Sequence, residues 1–424
     1  MTTLMKDSGI DWIGKIPEGW EIKRLKDLYE LKKGVNAGKF NFEYVRSAEN
    51  KGEYPVYSGQ TENNGVMGRI NTFEYDDNKG AILTTTVGAK AMTVRKVIGK
   101  YSLSQNCGLL INKRKGNISY SYYLVYAAFS YAKSMIPNHM QPSFRKEDLN
   151  NIYVPYVNLE TQQKIADYLD VEVSKLDKQV SLLERKYALL GDYKDALIFE
   201  TVTQGLDKAV PMKDSGIDWI GKIPEGWKII KCGNIFNISS GTTPNTKNEM
   251  FYNSKDVNWL NSGDFHNSYI NDTKNKISFF AKEYLKLKEF KSGSIVIAMY
   301  GANIGDVGFL NIDTTVNQAC AVLVDKKNKK IINKYFYYLF INKKNEFIGK
   351  SYGGGQKNIN QGLIHQSYLQ LPPLETQQEI ADYLDVEVAK LDKQRELIKR
   401  KVELLKEYKE ALIFEVVTGK KEVK

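Results

Sequence analysis

The sequence predicts an α+β chain: two similar globular domains separated by two long helices packed as an antiparallel coiled coil, with pseudo-two-fold symmetry. Three observations carry that prediction. The stretch MKDSGIDWIGKIPEGW at Met5–Trp20 recurs letter for letter at Met212–Trp227. The stretch LETQQKIADYLDVEVSKLDKQ at Leu159 returns as LETQQEIADYLDVEVAKLDKQ at Leu374, 215 residues later. Between these blocks lie turn-rich runs of β-branched residues. The chain therefore divides into a first domain (1–158), a central helix (159–205), a second domain (206–373) and a C-terminal helix (374–424).

The helices rest on heptads. In the first, Leu169, Leu176, Leu183 and Leu190 alternate with Val173, Val180 and Tyr187 at 3–4 spacing. In the second, Leu384, Leu391, Ile398 and Leu405 take one set of seam positions, and Val388 and Val402 the other. This is a coiled-coil seam, and one seam requires a partner. The repeat supplies it within the same chain; a coiled coil between chains is the alternative. No proline interrupts the first helix, and Gly205 marks its end. From Gln162 to Thr201 it spans 40 residues, or roughly 60 Å. Thr376-Gln377-Gln378-Glu379 fits a capping box at the start of the second helix, which Lys164 removes from the first. The polar seam residues Lys194, Lys409 and Arg395 would fix the register.

The segments Glu21–Asn158 and Lys228–Pro373 read as short strands joined by Gly/Asn turns, each followed by an aromatic helix. Val87-Gly88-Ala89 answers Tyr300-Gly301-Ala302, Gln105-Asn106-Cys107 answers Gln318-Ala319-Cys320, and Tyr122 answers Tyr335, all at an offset of 213. Otherwise the segments share little. Near-identical helices beside dissimilar domains predict a common task for the helices and separate tasks for the domains. The aromatic clusters around Tyr120–Tyr126 and Tyr335–Tyr338 belong in a core, because duplex DNA offers no free base faces for stacking.

Charge separates these parts. The net charge is +11. Glu160–Glu200 and Glu375–Glu415 each carry −3, so the rest of the chain carries +17. A basic balance confined to the globular segments predicts a polyanionic partner for them. No apolar run of about 18 residues and no signal-peptide pattern occurs, which predicts a cytoplasmic protein without membrane attachment. Three widely spaced cysteines give neither a disulfide framework nor a zinc motif. Catalytic signatures are missing too. There is no (N/D)PP(Y/F) motif, Gly301-x-x-x-Gly305-x-x-Gly308 lacks the Lys-Ser/Thr of a phosphate loop, and E-x-K triplets stand at base rate. His139, His266 and His365 are isolated in sequence. The reading is of a protein that is not an enzyme and holds no metal.

Ile16-Pro17-Glu18-Gly19-Trp20 and Ile223-Pro224-Glu225-Gly226-Trp227 open the two halves, and Leu371-Pro372-Pro373-Leu374-Glu375-Thr376-Gln377-Gln378 leads into the second helix. This layout resembles the specificity (S) subunit of type I restriction–modification systems, over nearly the whole chain. The second half matches best, through Gly241-Thr242-Thr243-Pro244, Trp259 and Asn317-Gln318-Ala319-Cys320. The first departs, with Tyr156-Val157-Asn158-Leu159 in place of Leu-Pro-Pro-Leu, and Tyr54-Pro55-Val56-Tyr57 resembles another subclass of recognition domain. The resemblance implies two target-recognition domains, each reading half of a split target in double-stranded DNA. It implies helices that set the gap and dock two methyltransferase (M) subunits for adenine N6 methylation, with restriction (R) subunits joining them. S-adenosylmethionine, ATP and Mg would belong to those partners, and this chain would bind no cofactor. The alternative is a coiled-coil scaffold without DNA specificity.

Base reading in the major groove uses Arg/Lys for guanine and Asn/Gln for adenine, with Lys, Ser and Thr on phosphates. The candidates are Lys90, Arg95, Gln105, Gln141, Ser143 and Arg145 in the first domain, and Thr242, Thr243, Asn303, Gln356, Lys357 and Asn358 in the second.

Overall fold

A computed structural model describes residues 4–60, 62–137, 139–217, 220–326, 331–351 and 358–423. Two compact units emerge, Met1–Glu184 with Lys399–Lys424, and Arg185–Ile398. Each takes part of both long helices.

Unit 1 is built on a six-stranded sheet. Its strands are β1 (Tyr29–Lys33), β2 (Lys51–Tyr57), β3 (Val66–Ile70), β4 (Tyr75–Thr85), β5 (Val94–Leu103) and β6 (Cys107–Asn112), in spatial order β1-β6-β4-β5-β2-β3. Only the β2–β5 pairing is parallel. The aromatic helix α1 (Ile118–Ser134) buries Tyr120, Tyr123, Leu124 and Phe129 in a core shared with Leu169, Val173 and Leu176 of the long helix α2 (Leu159–Gln204). The tyrosines are therefore packing residues.

Unit 2 repeats the plan with shorter strands. They are β7 (Phe236–Ser240), β8 (Val257–Leu260), β9 (Ser268–Ile270), β10 (Asn275–Ile277), β11 (Ile295–Ala298), β12 (Val307–Leu310), β13 (Thr315–Val316) and β14 (Cys320–Asp325). One sheet runs β7-β14-β11-β12-β9, and a second runs β10-β8-β13. The aromatic helix α3 (Asn333–Asn342) buries Tyr335 through Phe340 against Ile380, Leu384 and Val388 of α4 (Leu374–Val417).

The repeated sequence blocks now have physical reasons. The first glutamine of TQQ is buried and fastens each long helix at its start. Gln162 Nε2 donates to Val157 O at 2.9 Å, and its Oε1 accepts from Asn117 N at 3.1 Å. Gln377 does the same with Pro372 O at 2.9 Å and Ile332 N at 3.0 Å. The capping-box expectation is corrected here, since α4 begins at Leu374 and Thr376 already lies inside it. In α2 the cap is Asn158, whose Oδ1 accepts from Thr161 N at 2.9 Å. The expected match of Tyr122 with Tyr335 is corrected as well. Tyr120 Oη donates to Pro155 O and Tyr335 Oη to Gln370 O, both at 3.3 Å. That match has an offset of 215, because five residues join β6 to α1 and seven join β14 to α3.

The PEGW block closes each helix at its other end. Gly205, at φ 76°, ends α2 with Trp227 against its Cα, and Gly419, at φ 73°, meets Pro17 and Trp20 in the same way. A side chain at Gly419 would collide with Pro17, so the left-handed C-terminal turn and the close approach both require glycine.

Within each unit the two helices run antiparallel. In unit 1, Lys409 Nζ reaches Asp177 at 2.7 Å and Lys406 reaches Glu184 at 2.8 Å. In unit 2, Lys194 reaches Asp392 at 2.7 Å. Lys194–Asp392 and Lys409–Asp177 are the same pair at an offset of 215. Arg395 lies over the Tyr187 ring at 4.3 Å, beside Gly191, which leaves room for its guanidinium. The seam positions Leu169, Val173, Leu176, Leu384, Val388, Leu391, Ile398 and Val402 are buried, and Val180, Leu183, Tyr187, Leu190 and Leu405 are half-buried. No helix among the described residues is long and apolar enough to cross a membrane.

Candidate nucleic-acid interface

Sheet register gathers the polar loops of each unit along one edge. In unit 1, Lys33 pairs with Gly108, Thr85 with Cys107, Thr84 with Val94, and Tyr57 with Leu103. The ends of β1, β2 and β4 and the start of β6 therefore lie side by side. In unit 2, Ser240 with Ala321, Ala298 with Cys320, and Ile297 with Val307 do the same for one sheet.

Backbone bonds then tie the loops together, identically in both units. In the hairpin loop, Met92 N donates to Thr85 O at 2.8 Å and Thr93 N to Lys90 O at 3.2 Å; the counterparts are Gly305 N to Ala298 O and Asp306 N to Asn303 O, both at 2.9 Å. Thr86 N binds Asn106 O, and Met299 N binds Ala319 O, each at 2.8 Å. Ser104 N donates to Tyr57 O at 2.8 Å and Asn317 N to Leu260 O at 3.0 Å. Lys90 and Asn303 thus occupy one position on a shared loop, as do Gln105 and Gln318.

The candidates fall into three groups. Lys90 and Gln105 are exposed and line one open groove in unit 1, walled by Phe40, Phe42 and Met67 and joined by Gln60 and Asn106. Exposed Gln141 lies against Gly88, and exposed Ser143 bridges to Val87. In unit 2, Thr242 is exposed, with its N bound to Val316 O at 3.1 Å and its carbonyl accepting from Trp259 Nε1 at 3.3 Å. Thr243 Oγ1 donates to Gln318 Oε1. Asn303 Nδ2 donates to Ser262 O at 3.4 Å, and Asn358 is exposed.

Two residues face elsewhere. Arg95 is half-buried on β5, and its Nη2 donates to Gln60 O at 2.6 Å, so it supports the groove from behind. Arg95 also lines a different cavity, with Tyr122, Tyr123 and Asp170. Arg145 lines a cleft with Trp12 and Tyr131, separate from the groove of Lys90 and Gln105. Gln356 and Lys357 lie outside the described residues.

Gln318 joins this site although it is not among the sequence candidates; its offset of 213 from Gln105 is the signal that marks it. Gln60 and His266 gave no sequence signal.

A second repeated cluster lies where the helices meet the aromatic helices. Asp170 accepts from Tyr123 Oη at 2.8 Å and Lys96 Nζ at 3.0 Å. Asp385 accepts from Tyr338 Oη at 2.7 Å and also takes Tyr269 and Lys334. Burial opposes ionisation of both carboxyls, but the hydroxyl and ammonium donors outweigh it and hold both below the usual range. These bonds lock each long helix to its unit. No group of His, Cys, Asp and Glu able to hold a metal occurs among the described residues.

Basic α+β units that present amide, hydroxyl and ammonium groups from a rigid sheet edge form a recognition protein for DNA. The comparisons specify which kind. A family model for the type I restriction modification DNA specificity domain matches residues 17–190 and again 224–407. The chain belongs to that family, the DNA target-recognition subunits of type I restriction–modification systems, which are non-catalytic. It is 25% identical over 427 residues to the type I restriction enzyme MjaVIII specificity subunit of Methanocaldococcus jannaschii, covering 97% of this chain and 95% of that one. It is 32% identical over 152 residues to the type I restriction enzyme MpnII specificity subunit of Mycoplasma pneumoniae, covering 35% of this chain and 43% of the relative. A chain solved in work on complex assembly and conformational transition of a type I R-M system shares the fold. It has a TM-score of 0.68 at 14% identity and covers 95% of this chain and 98% of its own. DNA is therefore a partner of this chain.

Proposed function

We propose that each unit reads one half of a bipartite, asymmetric target in double-stranded DNA. The observation that carries this reading is one loop scaffold, bonded identically in both units, bearing different side chains: Lys90 against Asn303, and Ser143 beside Gln141 against Asn358. A shared scaffold gives both units one mode of approach, and different side chains give different sequences. In functional terms, 1–158 and 206–373 are the reading segments, while 159–205 and 374–424 set the gap between half-sites.

The helices also dock methyltransferase subunits. Val171, Leu182, Leu404 and Tyr408 of unit 1 are exposed, and Val386, Leu397, Leu189 and Tyr193 of unit 2 repeat them at an offset of 215. Residues 11 apart, or four apart, return to the same helix face. Two equal apolar patches on helices of net negative charge suit two equal partners better than DNA. Those partners would use S-adenosylmethionine for adenine N6 methylation. ATP and Mg would belong to the restriction subunits, and the assembly would work in the cytoplasm.

The test is the methylome of the host. A split N6-methyladenine motif should disappear when this gene is deleted while the methyltransferase gene stays expressed. A methylome that does not change rejects the reading, and DNA-independent association with the other subunits would then favour the scaffold alternative.

A further inference from the structure

His266 is isolated in sequence but not in the structure. It sits on the loop Asn261–Asn267 of unit 2, its side chain 65% exposed, with Nδ1 3.0 Å from Asp306 Oδ2. The Asp306 side chain is only 7% exposed, and its other oxygen is held by Lys344 Nζ. A buried carboxylate bonded through both oxygens has a fixed orientation, and it fixes the imidazole in turn. The carboxylate accepts, so Nδ1 carries the hydrogen, and in the neutral imidazole Nε2 presents its lone pair outward. Nε2 has no partner among the described residues.

The loop belongs to the candidate interface. Its Ser262 carbonyl accepts from Asn303 Nδ2 at 3.4 Å, and Asn267 Oδ1 accepts from Val307 N at 2.9 Å. Asp306 itself closes the hairpin loop that carries Asn303, through its N to Asn303 O at 2.9 Å. His266 therefore shares the sheet edge with the residues proposed above to meet DNA. Unit 1 has Thr93 at the position of Asp306, so the device is confined to unit 2.

We infer that His266 is a specificity-determining base contact of unit 2, accepting through Nε2 from an exocyclic amine, adenine N6 or cytosine N4, in the major groove, with Asp306 as its positioning residue. The inference rests on the reading that unit 2 recognises one half-site. In the major groove only adenine and cytosine offer such donors, and guanine and thymine present acceptors at the corresponding places. A phosphate contact needs a donor or a positive charge, and the outward lone pair of the neutral imidazole supplies neither.

The test uses the assembled complex with its methyltransferase subunits and a DNA library randomised across the target. His266→Ala should lose roughly 10-fold discrimination at one position of one half-site, with the other half-site unchanged. His266→Gln, which keeps an acceptor in reach, should restore part of it. Asp306→Asn should move the preference at that same position toward guanine or thymine. Its carbonyl would stay with Lys344 and its amide would face Nδ1, which reverses the imidazole tautomer. Two results overturn the inference: an unchanged motif in His266→Ala, or a uniform loss across sequences with a shallower salt dependence, which would make His266 a phosphate contact. If the wild-type complex itself shows no bipartite motif, the failure lies instead with the half-site reading on which the inference rests.

Discussion

Phe144 N donates to Thr86 O at 2.8 Å, and its counterpart Ile359 N donates to Met299 O at 2.9 Å. This bond pins the segment that bears Gln141 and Ser143 to the hairpin loop that bears Lys90. Candidate contacts from distant parts of the sequence are thereby held in one frame, as base reading would require. Replacing Gln105 by Ala should relax one position of the first half-site by about 1–3 kcal/mol, leaving the second half-site intact. Methylation of a half-site library distinguishes this from a uniform loss of binding, which would make Gln105 a backbone contact.

The approach of Gly241 to Val316 permits only glycine. A Cβ built there would lie 1.7 Å from Val316 O. Backbone cannot move aside as a flexible side chain can, and the Thr242 N bond to the same carbonyl, at 3.1 Å, would be lost with it. Gly241→Ala should destabilise unit 2 by about 2 kcal/mol or more and displace Thr242 and Thr243. Thermal unfolding gives the first effect, and loss of discrimination confined to the second half-site gives the other. A variant of native stability and unchanged specificity would contradict the steric argument.

Much of this was legible in the sequence, for particular reasons. The heptads of Leu169–Leu190 were visible because a seam obeys a period. Gln162 and Gln377 showed as repeated letters, but their bonds to Val157 and Pro372 depend on where the helix starts. That start is set by Asn158 in one copy and by the Pro372-Pro373 step in the other, and neither is marked by the repeated TQQ letters. The offset of 213 that relates the strands does not extend to the aromatic helices, because the connections before them differ in length, so Tyr120 rather than Tyr122 corresponds to Tyr335. His266 was beyond reach, since its partner Asp306 lies 40 residues away and no periodic pattern links them.

Lys343 gives a signature in pH. It is fully buried, its Nζ donating to Tyr368 O at 2.9 Å and to Glu346. Burial draws its pKa down from 10.5 to about 8. With the folded value below the unfolded one, the unfolded chain binds more protons between these limits, so this lysine's contribution to stability rises with pH and is lost as pH falls toward 8. Burial pushes the Cys107 thiol up to about 11 and Cys232 to about 12, which acts in the opposite direction above pH 9. The readout is therefore a difference between two proteins. From pH 8 to 9.5 wild type should gain about 1.5 kcal/mol relative to Lys343→Met, measured by urea unfolding. A constant difference would show that the lysine does not titrate in this window.

The exposed quartets on the helices should carry subunit docking. Leu182→Glu with Leu397→Glu places one charge in each patch, at side chains 58% exposed in both cases. Exposed substitutions of this kind change stability by only about 0.5 kcal/mol, so the melting curve should hold while co-purification of the methyltransferase subunit fails. One substitution alone should leave one subunit bound. Normal assembly of the double variant would place docking on another surface.

The most direct measurement concerns the helices as a spacer. Inserting four residues after Lys178 adds about 6 Å to α2, near two base-pair steps at ~3.4 Å each. The methylated motif of the host should keep both half-site sequences and lengthen the unread gap between them. An altered half-site sequence, or an intact motif with its original gap, would contradict the division between reading units and measuring helices.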